Sequence, residues 1–241
     1  MVELNKIYNE DCLEGMKRIP DKSVDMILCD LPYGTTRNKW DIVIDLEKLW
    51  EQYKRVIKDN GAIALTAAQP FETRLVNSNP KMFKYDLIWK KNLPTGFLNA
   101  KRMPLRSHES VLIFYKKPPV YNAIMRKGRF RNKGNTGRKG GRCYGETKRY
   151  ESWNDEYYPT SVIEVSNANQ KEKIHPTQKP VELFEWLIKT YTNEGDTVLD
   201  NCIGSGTTAI ACMNTGRNYI GYELDKEYYD VAIERIELAK E

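Results

Sequence analysis

Residues 26–38, MILCDLPYGTTRN, run apolar for four positions and then present a carboxylate at Asp30, a backbone stiffened at Leu31-Pro32 and a ring at Tyr33. Proline biases the residue before it toward an extended conformation, so the Leu31 carbonyl is aimed in advance, next to an acidic acceptor and a flat apolar surface. A second cluster, VLDNCIGSGTTAIA over 198–211, puts Asp200 at a strand end ahead of Gly204-Ser205-Gly206, and Glu223 follows Gly204 by nineteen residues. Gly204, Gly206 and Ala209 satisfy a G-x-G-x-x-A pattern that fits a dinucleotide site, with Glu223 as the ribose acid. Asp200 argues against that ligand, because a pyrophosphate on the helix N-terminus gains nothing from a carboxylate beside it. S-adenosylmethionine reverses the sign of the argument: it has no phosphate, and its methionyl end carries an ammonium and a sulfonium that an acid attracts.

The elements around these residues alternate. DCLEGMKRIP reads as an amphipathic helix and VDMILCD as a strand; DLEKLWEQYKRVIK spaces Leu46, Leu49, Tyr53 and Val56 at helical intervals before the strand GAIALTA. YDLIWKK and SVLIFYKK read as two further strands joined by a turn-rich segment. After residue 172 the order resumes with the helix PVELFEWLIKTYT, the strand GDTVLD, the helix GTTAIACMNTG, the strand NYIGYELD and the closing helix KEYYDVAIERIELAK. Such alternation predicts an α/β fold with a parallel sheet covered by helices on both faces. Between these halves, 118–172 is polar, aromatic and poor in helical periodicity, and is expected to be an insertion. The expected organisation is therefore a first half over 1–117, an insertion over 118–172 and a second half over 173–241.

Charge is concentrated in the insertion. Residues 126–149 hold ten Lys or Arg and the single acid Glu146, while the chain of 241 residues as a whole carries only +5. A slightly acidic body with one Gly-rich basic strip is suited to meeting a polyanion through that strip, and the glycines predict that it is flexible. The candidate phosphate contacts are Arg126, Lys127, Arg129, Arg131, Lys133, Arg138, Lys139 and Arg142. Cys12, Cys29, Cys143, Cys202 and Cys212 form no C-x-x-C pair and are odd in number, which predicts free thiols; with two widely separated histidines, no metal site is expected. No apolar run is long enough to span a bilayer and no charged-then-apolar leader is visible, so a soluble, cytoplasmic protein with no membrane partner is expected.

DLPY at 30–33, HPTQKP at 175–180 and DNCIGSGTT at 200–208, in that order, resemble the β class of amino-methylating DNA methyltransferases. That family's fold is a Rossmann-like methyltransferase sheet with circularly permuted motif order and an inserted target-recognition region, and the likeness covers nearly the whole chain outside roughly 118–172. The resemblance implies S-adenosyl-L-methionine as cofactor, double-stranded DNA as partner, a restriction-modification setting in a bacterial, archaeal or phage-infected cell, and the homodimeric state common in the family. It assigns Asp30 and the Leu31 carbonyl to the hydrogens of an exocyclic amine, Pro32 to the turn and Tyr33 to stacking on a base that has left the duplex. Leu31 departs from the common pattern, which has proline there. By the same likeness Asp11 and Cys12 meet the cofactor adenine, Thr177, Gln178 and Lys179 lie along its methionyl end, and Asp200, Gly204, Ser205, Gly206, Thr207, Thr208 and Glu223 complete its site. Trp89 and Lys90 are expected to border the base pocket, and His108 and Glu109 to be packing or turn residues.

Asp rather than Ser at position 30 favours the N6 of adenine over the N4 of cytosine by resemblance. An RNA methyltransferase is a more distant alternative, since there the cofactor loop comes upstream of the related motif. A 5-methylcytosine mechanism needs a cysteine nucleophile, normally after proline, and the sequence has no Pro-Cys dipeptide.

Overall fold

The computed structural model describes residues 2–34, 41–135, 137, 145, 147–168 and 178–240. It divides into two compact units, Met1–Asn122 with Ser161–Glu241, and Ala123–Thr160. In chain order the elements are β1 (Lys6–Asn9), α1 (Cys12–Met16), β2 (Val24–Cys29), α2 (Leu46–Val56), β3 (Ile57–Ala67), α3 (Phe71–Ser78), β4 (Phe83–Thr95), a 3-10 turn (Phe97–Asn99), β5 (Arg106–Phe114), β6 (Arg126–Asn132), β7 (Trp153–Tyr157), β8 (Val162–Glu164), α4 (Val181–Tyr191), β9 (Thr197–Asp200), α5 (Thr207–Thr215), β10 (Asn218–Glu223) and α6 (Lys226–Leu238).

Eight strands of the larger unit form one sheet in the order β1-β10-β9-β2-β3-β5-β4-β8. Pairing is parallel from β1 across to β3, antiparallel on both sides of β5, and parallel again between β4 and β8. Strand β2 shows why helices must cover both faces. Its Met26 and Leu28 join a core with Leu183, Leu187 and Ile188 of α4 and Ala209 and Cys212 of α5, whereas its Ile27 and Cys29 join Met16 of α1, Leu49 and Tyr53 of α2 and Leu75 of α3. Successive side chains point to opposite faces, so an unbroken apolar run is a strand buried on both. Each such Leu or Ile taken out of water contributes about 1.5–3 kcal/mol.

In the larger unit the expected helices and strands are present, with three additions that lacked a legible pattern, β1 of four residues, β8 of three, and α3; the smaller unit adds β6 and β7. Helix starts are capped by acids: Asp11 and Asp45 accept backbone N–H groups of their first turns at 2.8 and 3.0 Å, and Asp225 does the same for α6 at 2.9 Å. In the smaller unit β6 and β7 pair antiparallel. A flexible strip was expected over 126–149; residues 126–132 are instead a strand, because β7 supplies a hydrogen-bonding partner that composition does not reveal. No helix of the described residues is long and apolar enough to cross a membrane.

Candidate active site

Strands β2 and β9 are neighbours, paired Met26 with Val198 and Ile27 with Leu199. From β2 the sheet continues through β3, and from β9 through β10 in the opposite direction. The chain therefore leaves these two strand ends to opposite sides, and a crevice opens beyond their carboxyl ends. Asp200 is the last residue of β9 and Asp30 follows the last residue of β2, so the two motifs come out at one edge of the sheet. A cavity of about 910 Å³ lies there, lined by Asp11, Cys12 and Asp30 to Tyr33 from the first half and by Gln178, Lys179, Asp200, Gly204, Ser205, Thr207, Thr208 and Glu223 from the second.

Asp30 is held from three directions. Its Oδ2 accepts from Lys179 Nζ at 2.6 Å, and its Oδ1 accepts from Tyr33 at 2.9 Å and from the Thr66 hydroxyl. Lys179 also stands 3.3 Å from Glu109 Oε2, and Lys91 bonds Glu109 Oε1. The result is a line of alternating charge, Lys91, Glu109, Lys179, Asp30, in which both lysines are buried and Glu109 is partly buried. Burial alone would push the Glu109 carboxyl up, but Lys179 and Lys91 outweigh it and hold the group below its ordinary value. Burial likewise pulls the Lys179 ammonium down, and Asp30 and Glu109 together hold it above its ordinary value. Tyr33 lies against Phe71, ring centroids 5.3 Å apart and 19° from parallel. Burial, and then the Asp30 charge, pushes its hydroxyl well above the usual phenol range, so it is a donor here.

Four of these partners have roles that the sequence did not announce. Glu109, expected to pack or turn, is part of the charged line, and Lys179, expected at a methionyl group, delivers its ammonium to two carboxylates. On β4 the inward residues are Trp89 and Lys91, both lining the cavity, whereas Lys90 turns outward to Glu164 at 2.9 Å, in place of the expected pocket contact. The period of a strand puts residues 89 and 91 on one face and 90 on the other. Trp89 Nε1 donates to the Val165 carbonyl at 2.9 Å. Thr66, at the end of the parallel strand beside β2, carries no sequence signal beyond its place after GAIAL.

Around the glycine turn, Asp200 faces the turn itself. Its Oδ1 accepts the Cys202 N–H at 3.0 Å and its Oδ2 accepts the Thr208 hydroxyl. It is 2 % exposed, and burial pushes its carboxyl up to about 7 against these hydrogen bonds. Thr208 is thereby a partner of Asp200, and the Thr207 hydroxyl donates to the Lys179 carbonyl at 3.4 Å. Gly206 opens α5 at φ 83°, where a side chain would be strained and its Cβ would sit 3.2 Å from Ala232. The Ser205 hydroxyl stands 3.2 Å from Gln178 Oε1 and accepts from Arg235 at 2.9 Å. Glu223 accepts the Gly204 N–H at 2.9 Å and the Asp225 N–H at 2.8 Å, one on each oxygen. Asp11 caps α1, and Cys12, the first residue of that helix, lies with Sγ 3.5 Å from Asn201 Nδ2. Thr177 and the preceding HP of that motif lie outside the described residues.

The lining decides which ligand the cavity suits. Among the described residues nine carboxylates line it against three cations, Lys91, Arg106 and Lys179. Two of those cations are engaged by Glu109 and Asp30. A dinucleotide would bring a pyrophosphate into this negative field, whereas a ligand with a positive end is attracted by it. The volume lies within the range of cofactor pockets. Glu223, with one N–H on each oxygen, keeps lone pairs for ribose hydroxyls.

Comparison with known proteins decides the class. The profile of the N6_N4_Mtase family, described as DNA methylase, matches residues 24–234. The chain belongs to this family. It is an amino-methylating DNA methyltransferase of the N6-adenine/N4-cytosine class. Among its relatives, the type II methyltransferase M.BglII of Bacillus subtilis is 31% identical, over 95% of this chain and 68% of that protein. The type II methyltransferase M.HpaI of Haemophilus parainfluenzae is 28% identical over 96% of this chain and 74% of that protein. Among solved structures, the M1.HpyAVI-SAM complex superposes with a TM-score of 0.67 at 27% identity, covering 96% of this chain and 98% of the other. The cytosine-N4-specific PvuII DNA methyltransferase shares the fold, with a TM-score of 0.69 at 16% identity over 99% of this chain and 92% of its own.

The basic strip of this DNA methylase is described in part. Arg126, Lys127, Arg129 and Arg131 lie on β6, exposed throughout, and Lys133 follows it. Arg138, Lys139 and Arg142 lie outside the described residues. The strip's charges are not equivalent. Lys127 stands 3.2 Å from both Asp155 and Glu156, and Lys133 donates to Asn154 Oδ1 at 2.6 Å with its ammonium 3.4 Å from the Tyr157 ring centroid. Phe130 and Trp153, both largely exposed, stack with centroids 6.2 Å apart.

Proposed function

We propose that this methyltransferase moves a methyl group from S-adenosylmethionine to the exocyclic N6 of an adenine extruded from double-stranded DNA. The observation that carries the reading is one cavity in which Asp30 and Tyr33, from the first half of the chain, line the same space as Gly204 and Glu223, from the second. Two requirements of amine methylation, acceptors for the amine and a seat for a cationic donor, meet there.

An exocyclic amine is a poor nucleophile because its lone pair is delocalised into the ring. Asp30 and the Leu31 carbonyl, as two acceptors on its hydrogens, draw the nitrogen toward tetrahedral geometry. A carboxylate offers roughly four lone-pair sites, so Asp30 keeps acceptor capacity while Lys179, Thr66 and Tyr33 fix its orientation. Tyr33, backed by Phe71 on one face, turns the other to the base and offsets part of the few kcal/mol of unstacking. Pro32 keeps the Leu31 carbonyl aimed. When bound, the donor supplies a methyl on a sulfonium, open to displacement by the nitrogen. Glu223 holds its ribose, Asp11 and Cys12 its adenine end, and the Gly204–Gly206 turn with Gln178 its methionyl end. Asp30 is the carboxylate beside which the methylated nitrogen sheds its proton, and placement within attack distance supplies most of the acceleration.

The insertion over 118–172 is the target-reading part in this proposal, with Arg126, Lys127, Arg129, Arg131 and Lys133 on phosphates. The test is sequencing of DNA from cells expressing the protein, with detection of both N6-methyladenine and N4-methylcytosine. N6-methyladenine in one sequence context is the expected result. N4-methylcytosine would move the target to cytosine, and neither mark, with folded protein in the cell, would overturn the reading.

A further inference from the structure

The loop joining β4 to β5 has a composition that the chemistry of the cavity leaves unused. Residues 93–107, LPTGFLNAKRMPLRS, contain Lys101, Arg102 and Arg106 and no acid. Phe97 is 76% exposed, Leu98 86% and Met103 58%. These side chains are displayed by an ordered turn. Gly96 at φ 88° opens the 3-10 turn, and the Arg102 and Met103 N–H groups return to the Asn99 carbonyl at 2.8 and 3.0 Å. The base of the loop is clamped as well. The Asn167 amide donates to the Leu93 carbonyl and accepts the Leu93 N–H, each at 2.9 Å, and Arg106 pairs across the hairpin with Thr95. Thr95 and Arg106 line the cavity, so the apolar tip springs from its rim.

We propose that Phe97 and Leu98 form a wedge that enters the duplex where the target base leaves it, with Lys101, Arg102 and Arg106 on the flanking phosphates; this rests on the extrusion reading above. Apolar side chains inserted between bases stabilise an unstacked step, and the stacked interior of a duplex is an apolar surface bordered by negative charge. The loop is the complement of that, an apolar tip bordered only by positive charge. A second copy of the chain, as the alternative occupant, would bring three cations against three cations.

The experiment uses a duplex bearing the sequence found methylated in cells, prepared fully paired and with the target base mispaired, and a third version with 2-aminopurine at the target. The Phe97→Ala/Leu98→Ala variant is expected to methylate the paired duplex roughly tenfold or more slowly than wild type and to come within about threefold of it on the mispaired duplex, since the wedge compensates a cost that mispairing has already lowered. Its fluorescence gain on 2-aminopurine falls, and its unfolding midpoint stays at the wild-type value. An equal loss on both duplexes, or none on either, overturns the wedge while wild-type brightening leaves extrusion standing. Absence of brightening in wild type removes extrusion and the wedge together, and a shift from dimer to monomer in the variant would assign the patch to self-association instead.

Discussion

Lys179 Nζ lies 2.6 Å from Asp30 Oδ2 across 149 residues of chain, and the same ammonium stands 3.3 Å from Glu109 Oε2. One buried cation therefore ties the strand end that carries the proposed amine acceptor to the segment leading into α4. With Lys91 on the far side of Glu109, two lysines alternate with two carboxylates, and any single removal leaves an unbalanced charge.

Lys179→Met should accordingly be one of the most destabilising substitutions in the site. It leaves Asp30 and Glu109 facing each other with reduced compensation, at a cost of about 3–5 kcal/mol. Adding Glu109→Gln removes one of the stranded charges and should recover part of the loss. Urea unfolding of the single and double variants checks this; a single variant as stable as wild type would show that the ammonium is not what holds the two carboxylates.

Asp30→Ala separates chemistry from binding. Lys179 keeps Glu109 as partner in that variant, so the fold survives, and the residues assigned to the donor are untouched. Single-turnover methylation should fall roughly 10²–10⁴-fold while the dissociation constant for S-adenosylhomocysteine, measured by calorimetry, stays within a few-fold. Undiminished turnover would remove Asp30 from the amine.

Much of this arrangement was legible in the sequence because strand ends announce themselves. An apolar run stopping at Asp30, another stopping at Asp200, and the alternation of helix and strand between them predict a sheet whose edge gathers both motifs. The buried partners were hidden because they depend on register across strands distant in sequence. Glu109 sits opposite Trp89 on an antiparallel neighbour, and only that pairing brings Lys91 onto it. The inward parity of Trp89 was a usable signal for Lys91 over Lys90, since both cannot face one side of a strand. Asp200 was read as an acid offered to a cation; its position in the turn before α5 gives it the Cys202 N–H and the Thr208 hydroxyl first. Strand β6 was hidden by its own composition, since charge and glycine describe a surface strand and a loop alike until its partner is known.

Asp200 makes the free enzyme less stable as pH rises. Its folded carboxyl titrates at about 7 against an ordinary 3.8, so between those values the folded state binds more protons than the unfolded one and stability declines with pH. Asp200→Asn has no such slope. In the absence of donor, the stability of wild type relative to this variant should fall between pH 4 and pH 7 by about 1.4 kcal/mol per unit at most, and level off above. Parallel stability curves for the two proteins would place the carboxyl at its ordinary value.

The basic strand should contribute to DNA affinity unevenly. Each phosphate contact removed lowers the slope of log K against log salt by about 0.9. Lys127 is already bridged to Asp155 and Glu156, and Lys133 is held by Asn154 and the Tyr157 ring, so their charges are partly neutralised or committed within the unit. Arg129 and Arg131 lie exposed on β6, with the Arg131 guanidinium 5.4 Å from the Tyr157 ring centroid, where a cation–π contact leaves its charge available. Arg129→Gln/Arg131→Gln should therefore reduce the salt slope by about two and weaken binding to matched and unmatched duplexes alike, whereas Lys127→Gln should reduce it by well under one. Titrations at several salt concentrations distinguish the two; equal slopes for both variants would mean that the internal ion pairs open on binding and that every lysine and arginine of β6 counts the same.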